Sequence, residues 1–468
     1  MASSRSTVAG LLLSAVCVLA FSSSAHALPA FARKYGLRCS ACHEAWPMLN
    51  YFGQKFKDNG YQLMNDRDAP IWQNPSYWPV TFRITPYWHR ESTNKVQVDN
   101  GAGIGAGEVQ LTKNGFDLSG LDFHTGGTIE KNISFYVLPS SDPTASFHFE
   151  TVMGRFDNLF GSPWLNLKLG KFELDNLVSE KRILTLTPIS GVYQTYHFIP
   201  PGDANIFGQI GNNQLGMEVM GHSLNDRTRY SAALLSSSNG SVNLSYGNSY
   251  SGFFTASQAF DVGKLGTDRV GFYAMIGEAP TFYLTNGGPT SPIPGSGRAN
   301  RSFNREGFVG LFYFGRLDFQ VVTQHGWDSA WFGAGYGDFV DTTSLNNTPG
   351  TTLPAGFRAP SWNGYMVETH WVQNPQLIFI QRSEWERMSQ QACPIGSCAG
   401  TATFAPQAHN LGNIDMYTFG FRYMPIMTSR AGFAWHNEYS WLRQNGTAPV
   451  SGTDVTSSSL MSGFDFDF

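Results

Sequence analysis

The sequence after residue 79 alternates between large apolar residues and small or polar ones, with a period of two. Residues 414–423 show the pattern clearly, because aromatic side chains occupy the odd positions Tyr417, Phe419, Phe421 and Tyr423. Successive side chains of a β-strand point to opposite faces of the sheet. The pattern therefore predicts a sheet with one apolar face and one polar face.

About sixteen segments share this alternation. Their approximate spans are 79–91, 115–125, 129–138, 146–153, 164–171, 213–221, 228–236, 251–260, 267–277, 304–315, 316–327, 362–373, 375–387, 412–424, 430–443 and 457–468. The connections between them alternate in length. The long connections include 92–114, 172–212, 278–303, 328–361 and 388–411. The short connections include 125–128, 222–227, 261–266, 373–375 and 425–429.

The alternating loop lengths separate two classes of β-protein. Nothing in a soluble β-sandwich requires long and short loops to alternate. A bacterial outer-membrane barrel does alternate them, because it has an even number of strands, short periplasmic turns and long outer loops. The last segment ends in Phe464, Phe466 and Phe468, which would be a poor surface for a soluble protein. We predict an all-β fold, an antiparallel transmembrane barrel of about sixteen strands over residues 79–468, embedded in outer-membrane lipid.

Composition excludes several other classes. Charged residues make up 14% of the chain, well below the roughly 25% of typical soluble proteins. The net charge is −4 and no basic run is present, so nothing indicates a nucleic-acid partner. After the first 27 residues no apolar run reaches the roughly 18 residues that a transmembrane helix needs.

Residues 1–27 have the features of an export signal. Arg5 supplies the positive charge, an apolar run covers residues 8–21, and Ala25-His26-Ala27 is a cleavage site of the A-x-A type. The mature chain is expected to begin at Leu28. Cys17 raises the alternative of a lipoprotein signal, but the residues around it fit that motif poorly.

The motif Cys39-Ser40-Ala41-Cys42-His43 carries the most specific chemistry in the chain. A C-x-x-C-H sequence is the attachment signature of one covalent haem c, in which Cys39 and Cys42 bind the haem and His43 is an axial ligand of the iron. A redox or zinc motif that happens to precede a histidine is the alternative. An exported chain favours haem, since bacteria attach c-type haem outside the cytoplasmic membrane.

Residues 28–78 form the predicted haem segment. One apolar helical face is expected after His43, made by Ala45, Leu49, Phe52 and Phe56. Asn59-Gly60 predicts the end of that helix. We expect the segment in the barrel lumen, with a position just below it as the alternative. Three basic residues precede the motif and could either contact the haem propionates or form a solvent-exposed face. They are Arg33, Lys34 and Arg38.

The sequence does not determine which residue is the second axial ligand of the haem. Met64 follows the Gly60-Tyr61 turn and is far enough from His43 to fold back over the iron. Histidines on the polar faces of predicted strands are the rivals; they are His148, His370 and His436. An open or water-ligated iron is the third alternative. Carboxylates on the same faces are oxygen ligands suited to Fe(II); they are Glu150, Glu368, Glu438, Asp465 and Asp467.

Residues 28–63 resemble the fused monohaem cytochrome–porin proteins of iron-oxidising bacteria. The likeness is carried by Leu28–Arg33, CSACH, Trp46-Pro47, Phe52-Gly53, Phe56-Lys57 and Gly60-Tyr61, and weaker likeness continues at 169–186, 214–222 and 269–281. The resemblance implies an outer-membrane electron conduit. Its haem would accept electrons from extracellular Fe(II) and pass them to a periplasmic c-type cytochrome, an Fe(II):cytochrome oxidoreductase activity.

The sequence is also compatible with three other functions. One is a porin-like diffusion channel with a haem plug or sensor, another is outward electron transfer to an extracellular acceptor, and a third is a soluble periplasmic haem enzyme. A homo-oligomer is also possible, since porins of this size often form trimers. Cys393 and Cys398 suggest a local disulfide in a loop.

Overall fold

The computed structural model describes only part of the chain. The described residues are 30–45, 48–63, 80–98, 107–141, 146–174, 213–236, 250–262, 267–280, 282–285, 288–292, 300–329, 358–390, 413–428, 431–445 and 455–468. The predicted export signal, Met64, Cys393 and Cys398 lie outside these residues.

Sixteen strands of the described residues form one closed antiparallel barrel, which confirms the predicted fold. In chain order they are β3 (Val80–Val98), β4 (Gly107–Glu130), β5 (Ile133–Ser141), β6 (Phe147–Phe156), β7 (Asn166–Glu173), β8 (Asn213–His222), β9 (Thr228–Ser236), β10 (Tyr250–Asp261), β11 (Thr267–Pro280), β14 (Asn300–Phe314), β15 (Leu317–Asp328), β16 (Ser361–Asn374), β17 (Leu377–Gln390), β18 (Asn413–Met427), β19 (Gly432–Asn445) and β20 (Val455–Asp467).

The smaller elements lie before and between these strands. Two short hairpins are formed by β1 (His43–Ala45) with β2 (Met48–Leu49), and by β12 (Phe282–Thr285) with β13 (Gly288–Pro292). Three helices of the described residues precede the barrel: α1 (Ala30–Tyr35), α2 (Cys39–Cys42) and α3 (Tyr51–Asp58).

Helices in the described part of the chain are all too short and too polar to cross a membrane.

The last strand closes the barrel against the first. Phe468 N donates to Phe82 O at 3.0 Å, and Phe82 N donates to Phe468 O at 2.8 Å. The two rings are stacked with centroids 5.5 Å apart. Closure leaves no unpaired strand edge, which a lipid environment requires.

Connections at the two ends of the barrel differ in length, as the sequence predicts. The end that holds the start of β3 and the C-terminus carries the turns 131–132, 315–316 and 375–376, whereas the opposite end carries connections such as 174–212 and 329–360. Short turns face the periplasm in outer-membrane barrels. We therefore call the short-turn end the periplasmic end.

Two predicted connections are wrong in detail. Residues 92–114 were expected to be a loop, but β3 and β4 extend through most of that span. Residues 125–128 were expected to be a short connection, but they lie inside β4 and the turn follows at 131–132. The ring of Phe31 is so close to Gly126 that a Cβ there would come within 3.2 Å of it. A glycine inside a strand often marks such a close approach.

The barrel wall has an apolar exterior and a mixed interior. In β20, Phe464, Phe466 and Phe468 face outward with about half of each side chain exposed, while Asp465 and Asp467 face inward and are buried. Other strands show the same division, with Phe379, Phe419 and Tyr439 among the outward aromatics. An apolar outer band on a closed barrel is the surface that lipid requires. The protein is therefore a bacterial outer-membrane barrel.

The lumen contains an apolar cluster that connects the wall to the N-terminal helices. Phe56 and Tyr61 of the N-terminal region belong to it, and Phe31, Tyr35 and Leu63 pack against it. The wall residues of the cluster come from β6 to β16 and the end of β7; they include Met153, Phe172, Leu174, Leu235, Phe253, Tyr273, Met275, Phe303, Val322 and Met366. Burying this apolar surface fixes the N-terminal region inside the barrel, at roughly 25 cal/mol per Å² of apolar area removed from water.

Candidate functional site

The C-x-x-C-H motif forms one helical turn followed by an extended residue. Cys39 and Cys42 are the two ends of α2, and His43 follows with φ −116° and ψ 139°. Side chains three apart on a helix lie on the same face, so both thiols point to one side. The two cysteines are not bonded to each other, and both are half-buried.

The helix after the motif begins later than predicted. Ala45 and Leu49 were expected on its apolar face, but they belong to β1 and β2, in which His43 pairs with Leu49. The helix α3 starts at Tyr51, because Asn50 is its N-cap. Its predicted end is confirmed, since α3 stops at Asp58 and Gly60 has φ +72°. Glycine adopts this left-handed conformation without the steric cost of a Cβ.

Asn50 joins the haem-attachment helix to α3. Its Oδ1 accepts from Gly53 N at 2.9 Å, while its Nδ2 donates to Ala41 O at 3.0 Å and to Ser40 O at 3.3 Å. The backbone N–H of Asn50 also donates to Cys42 O at 2.9 Å. A single side chain thus caps one helix and holds the carbonyls of the other. Sequence reasoning missed this residue, although an Asn before an apolar helical pattern is a usual start signal.

Gly53 permits the close approach of these two helices. A Cβ at this position would lie 2.0 Å from Cys42 O and 2.8 Å from Cys42 C. The backbone of α3 therefore packs directly on the end of the motif, which explains why a glycine stands in the middle of a helix despite its low helix propensity.

The end of α3 is held by two buried arginines of the barrel wall. Arg155 on β6 donates from Nη1 to Lys57 O at 2.7 Å and from Nη2 to Asp58 O. Arg229 on β9 donates from Nη2 to Asp58 Oδ1 at 2.5 Å. Asp157 accepts from Arg155 Nε at 2.5 Å. We call these four residues the clamp: Asp58, Arg155, Asp157 and Arg229. Cations near a helix C-terminus also interact favourably with its dipole.

Aromatic rings extend the attachment to β5. Phe31 and Tyr61 are stacked with centroids 4.9 Å apart and an interplanar angle of 7°, and Tyr61 stacks on Tyr136 at 6.1 Å. Tyr136 Oη lies 2.6 Å from His124 Nδ1. Burial raises the pKa of Tyr61 above its ordinary value of 10.0, so its hydroxyl stays neutral.

The motif contacts the barrel on the far side as well. Cys39 Sγ donates to Thr428 O at 3.5 Å, in the turn between β18 and β19, and a Cβ on Gly432 would lie 3.9 Å from that sulfur. Tyr51 donates to Asn225 O at 3.0 Å, in the turn between β8 and β9. Residues 30–63 therefore cross the periplasmic mouth and contact opposite parts of the wall.

The thiols fit haem attachment better than they fit a metal site. Among the described residues, no group of three or more His, Cys, Asp or Glu side chains is arranged to hold a metal ion. Burial raises the pKa of both thiols to about 11, and the nearby Asp467 adds to the rise at Cys39. Neutral thiols on one helical face, next to an imidazole, are the groups that c-type haem requires. Cys39, Cys42 and His43 lie together on α2 and at its end, and their role in haem attachment stays a prediction.

The inward histidines and carboxylates form pairs in the wall. His370 Nε2 lies 2.8 Å from Glu368 Oε1, and His436 Nε2 lies 2.5 Å from Glu438 Oε2. All four side chains are buried. Asp465 forms ion pairs with Arg83 and Arg422. These pairs belong to the wall of β16–β20, above the turn that Cys39 contacts.

The remaining predicted residues give less information. His148 is exposed, near the outer end of β6, and Glu150 is half-buried. Arg38 is exposed, and Lys34 lies over the ring of Tyr35 at 5.0 Å. The side chain of Arg33 and all of Met64 lie outside the described residues, so their predicted roles stay predictions.

Fold and site together define a sixteen-stranded outer-membrane barrel whose periplasmic mouth holds a C-x-x-C-H segment. No protein-family model and no curated protein matches the chain. The resemblance of residues 28–63 to fused cytochrome–porin proteins therefore stays a prediction.

Solved structures with similar barrels include the following three proteins. The anion-selective porin from Comamonas acidovorans is 12% identical and covers 83% of this chain and 99% of its own, with a TM-score of 0.47. OmpF of Salmonella typhi, in complex with daunomycin, is 10% identical and covers 86% and 100%, with a TM-score of 0.47. OmpT of Vibrio cholerae, in a trimer form, is 8% identical and covers 82% and 98%, with a TM-score of 0.46. These structural similarities do not indicate what this chain binds or conducts.

Proposed function

We propose that the protein is an outer-membrane electron conduit built around one covalent haem c. Cys39 and Cys42 would hold the haem covalently, and His43 would bind its iron. Electrons come from an extracellular donor, most simply Fe(II), and leave to a periplasmic c-type cytochrome. The observation that supports this most is the position of the C-x-x-C-H motif, held between β18–β19 and β6–β9 across the periplasmic mouth.

The barrel solves a distance problem for such a conduit. The hydrocarbon core of a bilayer is roughly 30 Å thick, which is too wide for fast electron tunnelling in one step. A carrier attached at the periplasmic mouth and reaching into the lumen shortens the distance that an electron from an external donor must cross. When bound, the haem supplies a one-electron carrier, which suits the change from Fe(II) to Fe(III).

The residues of the chain position this carrier and keep it in place. The single turn of α2 presents both thiols on one face, and Asn50 fixes that turn against α3. The clamp then holds α3 to the wall at Asp58. Because Arg155, Asp157 and Arg229 are each under 7% exposed, breaking these bonds leaves charges buried and unpaired, at a cost of about 3–5 kcal/mol.

The apolar part of the lumen wall, where it meets the haem segment, supports an electron conduit. Porins that pass solutes have polar interiors filled with water. Here the inward faces of β10–β16 contribute aromatic and aliphatic side chains to one cluster with Phe56 and Tyr61. An apolar wall around the haem segment lowers the local dielectric and limits water, two of the protein's controls on haem potential.

The periplasmic side offers an exit for the electrons. Tyr51 and Phe52, in the first turn of α3, are 38% and 40% exposed. Their rings lie eight or more residues after His43 in sequence and on the helix that packs against the motif. A periplasmic cytochrome that docks here would approach the haem segment without entering the barrel.

The experiment that tests the conduit uses the full-length protein in vesicles with one orientation. Fe(II) is added outside and the haem absorption is followed, with Cys39→Ala/Cys42→Ala as the control that has no covalent haem. Rapid reduction that requires both cysteines supports the proposal. The absence of covalent haem from the purified protein would overturn the proposal. A haem that Fe(II) fails to reduce, although its midpoint potential allows the reduction, would overturn it too. Solute conductance that does not depend on redox state would support the channel instead.

A further inference from the structure

His436 of the barrel wall has the geometry of a metal ligand, which it shares with His370 on β16. His436 on β19 is 1% exposed, and its Nε2 lies 2.5 Å from Glu438 Oε2. An ionised carboxylate can only accept a hydrogen bond, so Nε2 carries the ring proton and Nδ1 keeps its lone pair. Among the described residues, His436 Nδ1 has no hydrogen-bond partner.

The carboxylate that accepts from one ring nitrogen and the lone pair left on the other are both typical of histidines that bind metals. A histidine that binds a metal almost always donates its other ring nitrogen to a carboxylate or carbonyl, which fixes the ring and makes it a stronger ligand. A buried acceptor that lacks a partner is costly for a protein. Glu438 therefore acts toward His436 as such an orienting carboxylate, and Nδ1 is left to bind.

His436 shares its hairpin with the contact point of Cys39. Cys39 Sγ bonds to Thr428 O in the β18–β19 turn and lies next to Gly432, the first residue of β19. His436 is two positions further along the same inward face, roughly 13 Å from Gly432 at about 3.3 Å per residue. The residue between them on that face is Ala434, which has a small apolar side chain.

The wall around His436 suits a porphyrin. Below it lies an apolar patch formed by Ile378, Ile380, Met424 and Ala434. Beside it, Arg422 is the register partner of His436 on β18. Arg422 is fully buried and binds Asp465 through Nη2, but its Nε and Nη1 have no hydrogen-bond partner among the described residues. An apolar surface next to unused guanidinium N–H groups matches the apolar ring and the carboxylates of a haem.

We propose that His436 Nδ1 is the second axial ligand of the haem, so that the barrel wall completes the iron coordination, and that Glu438 is a positioning residue for it. This inference rests on the proposed haem at Cys39 and Cys42. Met424 is closer to the turn, but its side chain is packed within the apolar patch. The wall ligand would lock the haem segment to β19 in addition to the clamp.

The test measures the spin state of the ferric haem in the purified holoprotein, by absorption and electron paramagnetic resonance. The wild type is expected to be low-spin. His436→Gln should lose the low-spin signal and become high-spin, with the covalent haem content unchanged. His370→Gln is the matched control, because His370 forms the same pair with Glu368 on β16, and it should stay low-spin.

Further variants keep the test decisive if His436→Gln fails to fold. His436→Met should restore a low-spin haem with a higher midpoint potential, since a methionine ligand raises the potential relative to histidine. Glu438→Gln should also raise the midpoint, because a less basic histidine stabilises Fe(III) less.

A wild-type low-spin spectrum in His436→Gln would overturn the inference, and loss of that spectrum in Met64→Leu or Met424→Leu instead would identify another ligand. Those outcomes leave the conduit intact, whereas absence of any covalent haem would remove both proposals.

Discussion

Arg229 Nη2 lies 2.5 Å from Asp58 Oδ1, and the two side chains are 6% and 7% exposed. The pair joins β9 of the barrel to the last residue of α3, across 171 positions of the chain. Gln54 Nε2 donates to the same Oδ1 at 2.8 Å. The contact is therefore an internal one between the haem segment and the wall, protected from solvent.

We expect Asp58→Asn to loosen the segment from the wall. Removal of one charge from a buried pair costs about 3–5 kcal/mol, because the partner stays buried and unpaired. Limited proteolysis in detergent should then cut between residues 30 and 79 much faster than in the wild type. Asp261→Asn is the matched control, since Asp261 pairs with Arg227 on the surface and exposed pairs contribute little. Equal cleavage of both variants would argue against the clamp.

Substitution of Gly53 by Ala should disturb the haem motif more than its small size suggests. The new Cβ would meet the Cys42 carbonyl at 2.0 Å, so α3 must move away from α2. We expect a several-fold lower yield of covalent haem, read from the pyridine-haemochrome spectrum. Gly154→Ala, where a Cβ would meet nothing within 4 Å, should give the wild-type yield.

Asn50→Ala should act through a different contact. It removes the N-cap of α3, which costs about 1 kcal/mol, and leaves the Ser40 and Ala41 carbonyls without their donor. A lower haem yield is expected, with partial recovery in Asn50→Asp, which keeps the capping oxygen but loses the amide donor. Full recovery in Asn50→Asp would show that only the cap matters.

The thiols should react slowly in the protein without haem. Their pKa is raised from 9.0 to about 11 by burial, so at pH 8 the thiolate fraction is about a hundredfold lower than in the unfolded chain. Alkylation by iodoacetamide, followed by peptide mass spectrometry, should be slower by about that factor at Cys39 and Cys42. The rate should rise about tenfold per pH unit up to pH 10. Equal rates in folded and urea-unfolded protein would contradict the burial.

Loss of Phe468 should impair barrel closure. Its backbone makes two hydrogen bonds to Phe82 and its ring stacks there. Deletion of Phe468 should reduce the fraction of protein that migrates as a folded barrel without heating, and Phe468→Ala should do so less. Phe160→Ala is the control, because that ring is 97% exposed in a turn.

The barrel could be predicted from sequence because its signal is local and repeated. Each strand carries the period of two by itself, as in β9, where the predicted span 228–236 is the observed one. The prediction failed where a distant residue decides the local structure. Gly126 lies in a span predicted to be a short connection, yet it continues β4 and pairs with Tyr136 of β5.

The candidate site could be predicted only in part, for the same reason. The C-x-x-C-H motif is contiguous, so Cys39, Cys42 and His43 were found at once. The clamp pairs Arg155 with the Asp58 carbonyl across 97 residues, and such contacts leave no periodic pattern. His436 was seen only as one of several inward histidines, since its link with Cys39 arises from the β18–β19 turn.

The position of Cys39 has a consequence for biogenesis. This residue comes early in the chain, yet it touches the hairpin that precedes the final strand, at Thr428 and Gly432. The wall can close around the segment only after the C-terminal hairpins have been delivered. We therefore expect cofactor attachment in the periplasm to come before membrane insertion. A chain without haem would then insert with the periplasmic mouth of its barrel incompletely filled. Such a chain should be cut by periplasmic proteases.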